Sequence, residues 1–167
     1  QLAPLLRELR NSIVAIRSLD LLSPEQLRRK TRLADLTDDI GSGGQQLGAF
    51  IHQLKASERE QLLKSLQRYY PQVTKIHTSV LGGGAVKLEL HESYQTYLYE
   101  QQAQLLPNDL VTEARHINDG MLRLLAILAQ QFSPYQFVLF DEIENGVNPE
   151  ITEALVDALV HSPKQIG

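Results

Sequence analysis

The chain has 167 residues, about one domain's worth, and is 43% hydrophobic and 22% charged; this supports a core of ordinary size and excludes wholesale disorder. A formal net charge of -4 gives no global attraction to nucleic acid or to anionic membranes. Cysteine is absent, which excludes disulfides, thiolate metal sites and cysteine nucleophiles and fits a reducing compartment.

Leu2, Leu5, Leu6 and Leu9 recur at helical spacing, with Pro4 tolerated in a first turn. Ile13-Val14-Ala15-Ile16 is short and rich in β-branched residues, and reads as a strand. Ser23-Pro24-Glu25 is a helix start, after which Lys30 to Gly44 is polar, rich in turn residues, and expected to be a loop. The basic run Arg28, Arg29, Lys30 and Arg32 reads as a solvated surface. Leu47, Phe50, Ile51 and Leu54 mark a helix stripe. Ser57-Glu58-Arg59-Glu60 has the form of a capping box opening a helix that carries Leu62, Leu63 and Leu66 and ends before Pro71. Strand alternation from Val73 to Leu81 and from Ala85 to His91, joined by Gly82-Gly83-Gly84, predicts a hairpin, with a third strand around Tyr94 to Tyr99.

From Asn118 the pattern changes. Met121, Leu122, Leu124, Leu125, Ile127 and Leu128 predict a helix buried over much of its circumference, broken at Ser133-Pro134. Phe137-Val138-Leu139-Phe140 suits a central parallel strand covered on both faces. Pro149 opens another helix bearing Ile151, Leu155, Ala158 and Leu159, and Gln165-Ile166 starts a further strand. Strand, helix and strand with short links imply a parallel α/β layer, whereas the first hundred residues mix helices with an antiparallel hairpin. The opening at Gln1 and the stop just after that last strand begins read as cuts. No apolar run of roughly 18 residues and no signal pattern occurs, so the expected location is cytoplasmic, away from membranes.

The strand at 137–140 runs into Asp141-Glu142, an acidic pair at the carboxyl end of a buried strand, where open α/β sheets bind ligands. Asp141 can hold magnesium, which prefers hard oxygen ligands, and Glu142 can polarise an attacking water. Two solvated carboxylates at a strand end are the plain alternative. Ile117-Asn118-Asp119-Gly120-Met121 opens the buried helix; Asn118 suits an N-cap, and Gly120 lets a phosphate approach free N–H groups. His52, His77, His91 and His116 lack metal-ligand spacing and read as structural or surface groups.

Taken together, His116-Ile-Asn-Asp-Gly-Met-Leu-Arg123 and Phe137-Val-Leu-Phe-Asp-Glu-Ile-Glu-Asn-Gly-Val-Asn-Pro149 resemble ABC-type ATPases, more narrowly the RecF/SMC-like group of predicted ATPases. The resemblance is strong from about 115 to 166 and weaker upstream, where Asp39-Ile-Gly-Ser-Gly-Gly-Gln-Gln-Leu47 is similar to a glycine-rich segment of that group. It implies an α/β fold, a partial P-loop NTPase of ABC type, with a parallel sheet and helices beside a helical and antiparallel-hairpin region. Residues 1–110 would form the helical and hairpin portion of the head, and 111–167 the signature helix, Walker B strand and D-loop portion of the same domain.

By the same resemblance, Asp141 is the magnesium carboxylate and Glu142 the catalytic base. Asn118, Asp119 and Gly120 form the signature that closes over the γ-phosphate of ATP held by the opposite subunit. Asn145, Gly146 and Asn148 belong to the D-loop. The implied cofactors are ATP and Mg2+, the implied assembly is an ATP-bridged homodimer, and the implied setting is DNA maintenance or anti-phage defence with DNA or a DNA-processing protein as partner. Three departures stand out: Asn118 replaces the family's serine, Asn148 replaces the D-loop histidine, and no Gly-x-x-x-x-Gly-Lys-Ser/Thr phosphate loop occurs. The 167 residues alone are therefore expected to be inactive as an ATP hydrolase. A non-catalytic interaction module derived from such an ATPase is the alternative, and a metal-dependent nuclease would need more clustered carboxylates than the pattern supplies.

Overall fold

The computed structural model describes residues 2–14, 16–19, 22–35, 38–94, 108–135, 137–140, 147–160 and 165–166. Two sheets organise them. The parallel sheet has the order β1-β6-β7, with β1 (Ile16–Leu19) and β7 (Gln165–Ile166) flanking β6 (Phe137–Phe140). The antiparallel sheet is centred on the long strand β4 (Ala85–Tyr94), which pairs from Val86 to Glu92 with β3 (Val73–Val80). On its other edge β4 pairs first with the two-residue β2 (Thr31–Arg32) and then with β5 (Asn108–Glu113).

Six helices complete the described residues: α1 (Leu2–Val14), α2 (Pro24–Leu27), α3 (Leu47–Gln53), α4 (Ala56–Gln67), α5 (Asp119–Ala129) and α6 (Pro149–Val160). In α5 every residue from Gly120 to Ala129 is buried, because helices α2 and α4 pack on it and its leucines share one continuous core with Leu66, Leu90 and Val138. That is the all-round burial expected of a helix with an apolar circumference.

Several sequence expectations are corrected. Ile13 and Val14 lie in α1, and the strand begins only at Ile16, so the β-branched run straddles a helix end. The polar stretch 30–44 contributes β2 and a short 3-10 turn at Leu33–Asp35 rather than loop alone. Helix α4 starts two residues earlier than the predicted box, with Lys55 and not Ser57 as N-cap: the Lys55 amide donates to the Glu58 carboxylate at 2.8 Å, while Glu60 pairs with Lys64 at 2.7 Å one turn on. Tyr94 ends β4, residues 95–99 lie outside the described residues, and the third strand is β5.

The hairpin expectation holds, with β3 and β4 joined through a 3-10 turn at Gly82–Gly84. Gly83 there has φ 82°, a left-handed conformation that costs glycine nothing. The parallel strand β6 is central, as its apolar run suggested, but it is not covered on both faces. Val138 is fully buried against the core, while Leu139 on the opposite face is 46% exposed and its partner Ser18 in β1 is exposed as well.

Candidate functional site

The amino end of α5 carries the first half of the site. Asn118 is the N-cap: its Oδ1 accepts from the amides of Gly120 at 3.0 Å and Met121 at 3.3 Å. Two of the helix's orphan donors are thus satisfied, which is the reason Asn favours this position. Gly120 is buried, and Asp119 is exposed at the first helical position, where its negative charge suits the helix dipole.

Sequence reasoning missed the residue that anchors this turn. Arg28, just past α2, donates from Nη2 to the Ile117 carbonyl at 2.8 Å and also pairs with the Asp119 carboxylate. The reading of the basic run as solvated surface therefore fails for Arg28, whereas Arg29, Lys30 and Arg32 are exposed. Nothing in the run distinguishes Arg28 from its neighbours; only the packing of α2 on α5 does.

Arg28 is itself placed by the glycine-rich segment. The Asp39 carboxylate caps the Gly41 amide at 2.9 Å and pairs with Arg17 of β1 at 2.5 Å; Arg17 also lies over the Tyr135 ring, 5.7 Å from its centroid. Gln46 N donates to the Ile40 carbonyl at 2.7 Å, and Thr31 of β2 donates its hydroxyl to the Gln45 carbonyl at 2.8 Å. Gly44, at φ 85°, lets this loop lie against Leu27: a Cβ there would sit 2.3 Å from the Leu27 Cδ2. Residues from β1, the glycine loop and α2 thus form one connected support ending at Ile117 and Asp119.

The second half follows β6. Asp141, Glu142, Asn145 and Gly146 lie outside the described residues. Asn148 is described, and it caps α6: its Oδ1 accepts from the Glu150 amide at 3.0 Å and its carbonyl accepts from the Thr152 amide at 2.9 Å. Among the described residues no group of three or more His, Asp or Glu side chains gathers as a metal site. The carboxylates expected to hold magnesium fall in the undescribed stretch, and their oxygen chemistry suits that ion. His52 Nδ1 lies 3.0 Å from the Thr78 hydroxyl, and the His77 and His91 rings meet edge to face at 6.0 Å, in keeping with structural roles.

A parallel sheet whose central strand ends at an acidic pair, backed by a buried and capped helix, is the layout of an α/β nucleotide-binding domain. The family model described as "AAA domain, putative AbiEii toxin, Type IV TA system" matches residues 6–166, and the chain belongs to this family. Its class is accordingly the AAA/P-loop ATPase type, with an α/β fold and nucleotide binding and ATP hydrolysis as the general activity. No curated protein matches the chain. No helix among the described residues is long and apolar enough to cross a membrane.

Proposed function

We propose that this chain forms the signature and Walker B half of an ABC-type, RecF/SMC-like ATPase head, which hydrolyses ATP sandwiched between two copies. The observation that carries this reading is the sharing of one core by two elements: the helix opened by Asn118-Asp119-Gly120, and the strand that runs directly into Asp141-Glu142. Asp141 holds the Mg2+ that offsets charge on the phosphate oxygens. Glu142 takes the proton of the attacking water. Asn118, Asp119 and Gly120 face the γ-phosphate of the opposed copy, and Asn145, Gly146 and Asn148 line the crossing between subunits. The reading needs a phosphate loop, and these 167 residues contain none of the Gly-x-x-x-x-Gly-Lys-Ser/Thr form. The family's description as a putative toxin of a type IV TA system supports a toxin–antitoxin setting; DNA maintenance or anti-phage defence, with DNA or a DNA-processing protein as partner, is part of the same proposal.

The test is gel filtration of the complete gene product with magnesium-ATP, wild type against Glu142→Gln. Accumulation of an ATP-dependent dimer by the variant alone supports the sandwich, since trapped ATP holds the two copies together. Absence of both dimer and turnover in wild type overturns it.

A non-catalytic interaction module is favoured by one specific observation: the Asn118 oxygen already occupies the Gly120 and Met121 amides that a phosphate would use. Calorimetry on the 1–167 chain separates contributions within the first reading as well. Weak or absent ATP binding is expected there, and tight binding would contradict the dependence on a phosphate loop.

A further inference from the structure

The core face of β4 changes character near its end. Val86, Leu88 and Leu90 are buried and apolar, but the next residue on that face is Glu92, only 6% exposed. Its two oxygens accept from the Tyr94 hydroxyl at 2.8 Å and the Thr112 hydroxyl at 3.4 Å. No cationic side chain pairs with Glu92 among the described residues. Residues 95–107, which join β4 to β5, contain no Lys, Arg or His. A buried carboxylate without a countercharge is costly, and hydroxyl donors offset only part of that cost.

Glu92 does not face a closed interior. With Tyr70, Tyr94, Leu110, His116 and Asn118 it lines a half-open cavity of about 350 Å³ beside the amino end of α5. A helix amino end in the wall would ordinarily draw an anion, but the Gly120 and Met121 amides are already given to Asn118. Glu92 is the acidic group of the cavity and has no cationic partner among the described residues, and three of the side chains around it are flat rings.

We propose that this cavity receives the guanidinium of an arginine side chain presented by a partner polypeptide, with Glu92 at its base and Tyr70 and Tyr94 against its faces. A guanidinium forks its N–H donors onto a carboxylate while its flat faces lie on aromatic rings, and it is more weakly hydrated than an ammonium. The occupant would lie against Asn118, so binding there bears directly on the turn that opens α5.

The test uses the 1–167 chain without nucleotide, which keeps it independent of the ATPase reading. N-acetyl-arginine amide is titrated against protein labelled in its tyrosine rings and followed by NMR, with the neutral isostere N-acetyl-citrulline amide as control. Saturable shifts confined to Tyr70 and Tyr94 are expected for the arginine probe alone, with affinity reduced about tenfold or more in Glu92→Gln. Leu110→Lys, on the exposed rim of the cavity, supplies a tethered ammonium and is expected to abolish binding whether or not Glu92→Gln folds. Equal shifts with the citrulline probe, no shifts with the arginine probe, or arginine binding undiminished in a folded variant would each overturn the proposal.

Discussion

Arg28 and Asp119 are 91 positions apart in sequence and joined in an ion pair, and the same guanidinium holds the backbone carbonyl of Ile117. The carboxylate is more than half exposed, so its ion pair contributes little by itself. The bond to the carbonyl is the stronger restraint, because it fixes the backbone immediately before the cap of α5. Arg28→Ala is expected to cost roughly 1.5–3 kcal/mol in urea unfolding, the range for a hydrogen bond that involves a charged group. If the signature reading is right, turnover of the complete protein falls by about tenfold, and Arg28→Lys, which keeps one donor, recovers part of it. A loss of stability with turnover unchanged in the folded fraction would separate Arg28 from the chemistry.

Asn118 serves as a cap whatever else it does. Asn118→Ala removes the acceptor for two amides and is expected to destabilise the fold by about 1 kcal/mol. Asn118→Ser preserves capping, so its melting temperature stays close to wild type. Under the sandwich reading the serine variant equals or exceeds wild type in ATP-dependent dimerisation, because the shorter side chain matches the family's usual residue. Dimerisation lost in a fully stable serine variant would count against a phosphate-facing role.

Gly44 is the tightest point in the support beneath Arg28. Gly44→Ala combines a left-handed backbone with a methyl group 2.3 Å from the Leu27 Cδ2 and 3.3 Å from the Leu22 Cδ2, and both leucines are buried. A loss on the order of 2 kcal/mol or more is expected by thermal or urea unfolding. Gly83→Ala offers the contrast: its φ is equally positive, but nothing lies within 4 Å of the added carbon, so its cost is the smaller one of backbone strain alone.

Burial raises the Tyr70 phenol above the ordinary tyrosine value of 10.0. The folded chain therefore holds this proton more tightly than the unfolded chain does. The stability this contributes is complete below the unfolded value and is lost as pH rises through the folded one. The urea midpoint is expected to fall as pH rises past the ordinary tyrosine value of 10.0, and to fall less steeply in Tyr70→Phe, which has no proton to lose. Parallel slopes in the two proteins would contradict this.

Local pattern carried much of the fold. The leucine repeat of α5 and the alternation of β3 and β4 each follow the period of one element type, while the continuous apolar run of β6 was read as a strand from its shortness and its polar bounds. Errors gathered where two signals overlapped within a few residues. Ile13-Val14-Ala15-Ile16 spans a helix end and a strand start, and at Lys55 to Glu60 two acidic residues compete for the capping role, of which Glu58 takes it. Strand β2 was invisible because two residues carry no period; it exists because Thr31 and Arg32 meet the free edge of β4.

The sequence alone determined the two local features on which the proposed site is built, an apolar strand followed by Asp141-Glu142 and a cap at Asn118, since neighbouring residues specify each of them. Tertiary structure decided what surrounds it. Arg28 rather than Arg29 or Lys30 is set against the start of α5 by the packing of α2 on α5, and the Glu92 cavity is lined by residues of β4, β5 and that helix's amino end together. Both depend on contacts between residues tens of positions apart, and local periodicity, which records only which face of one element is apolar, has no means of encoding them.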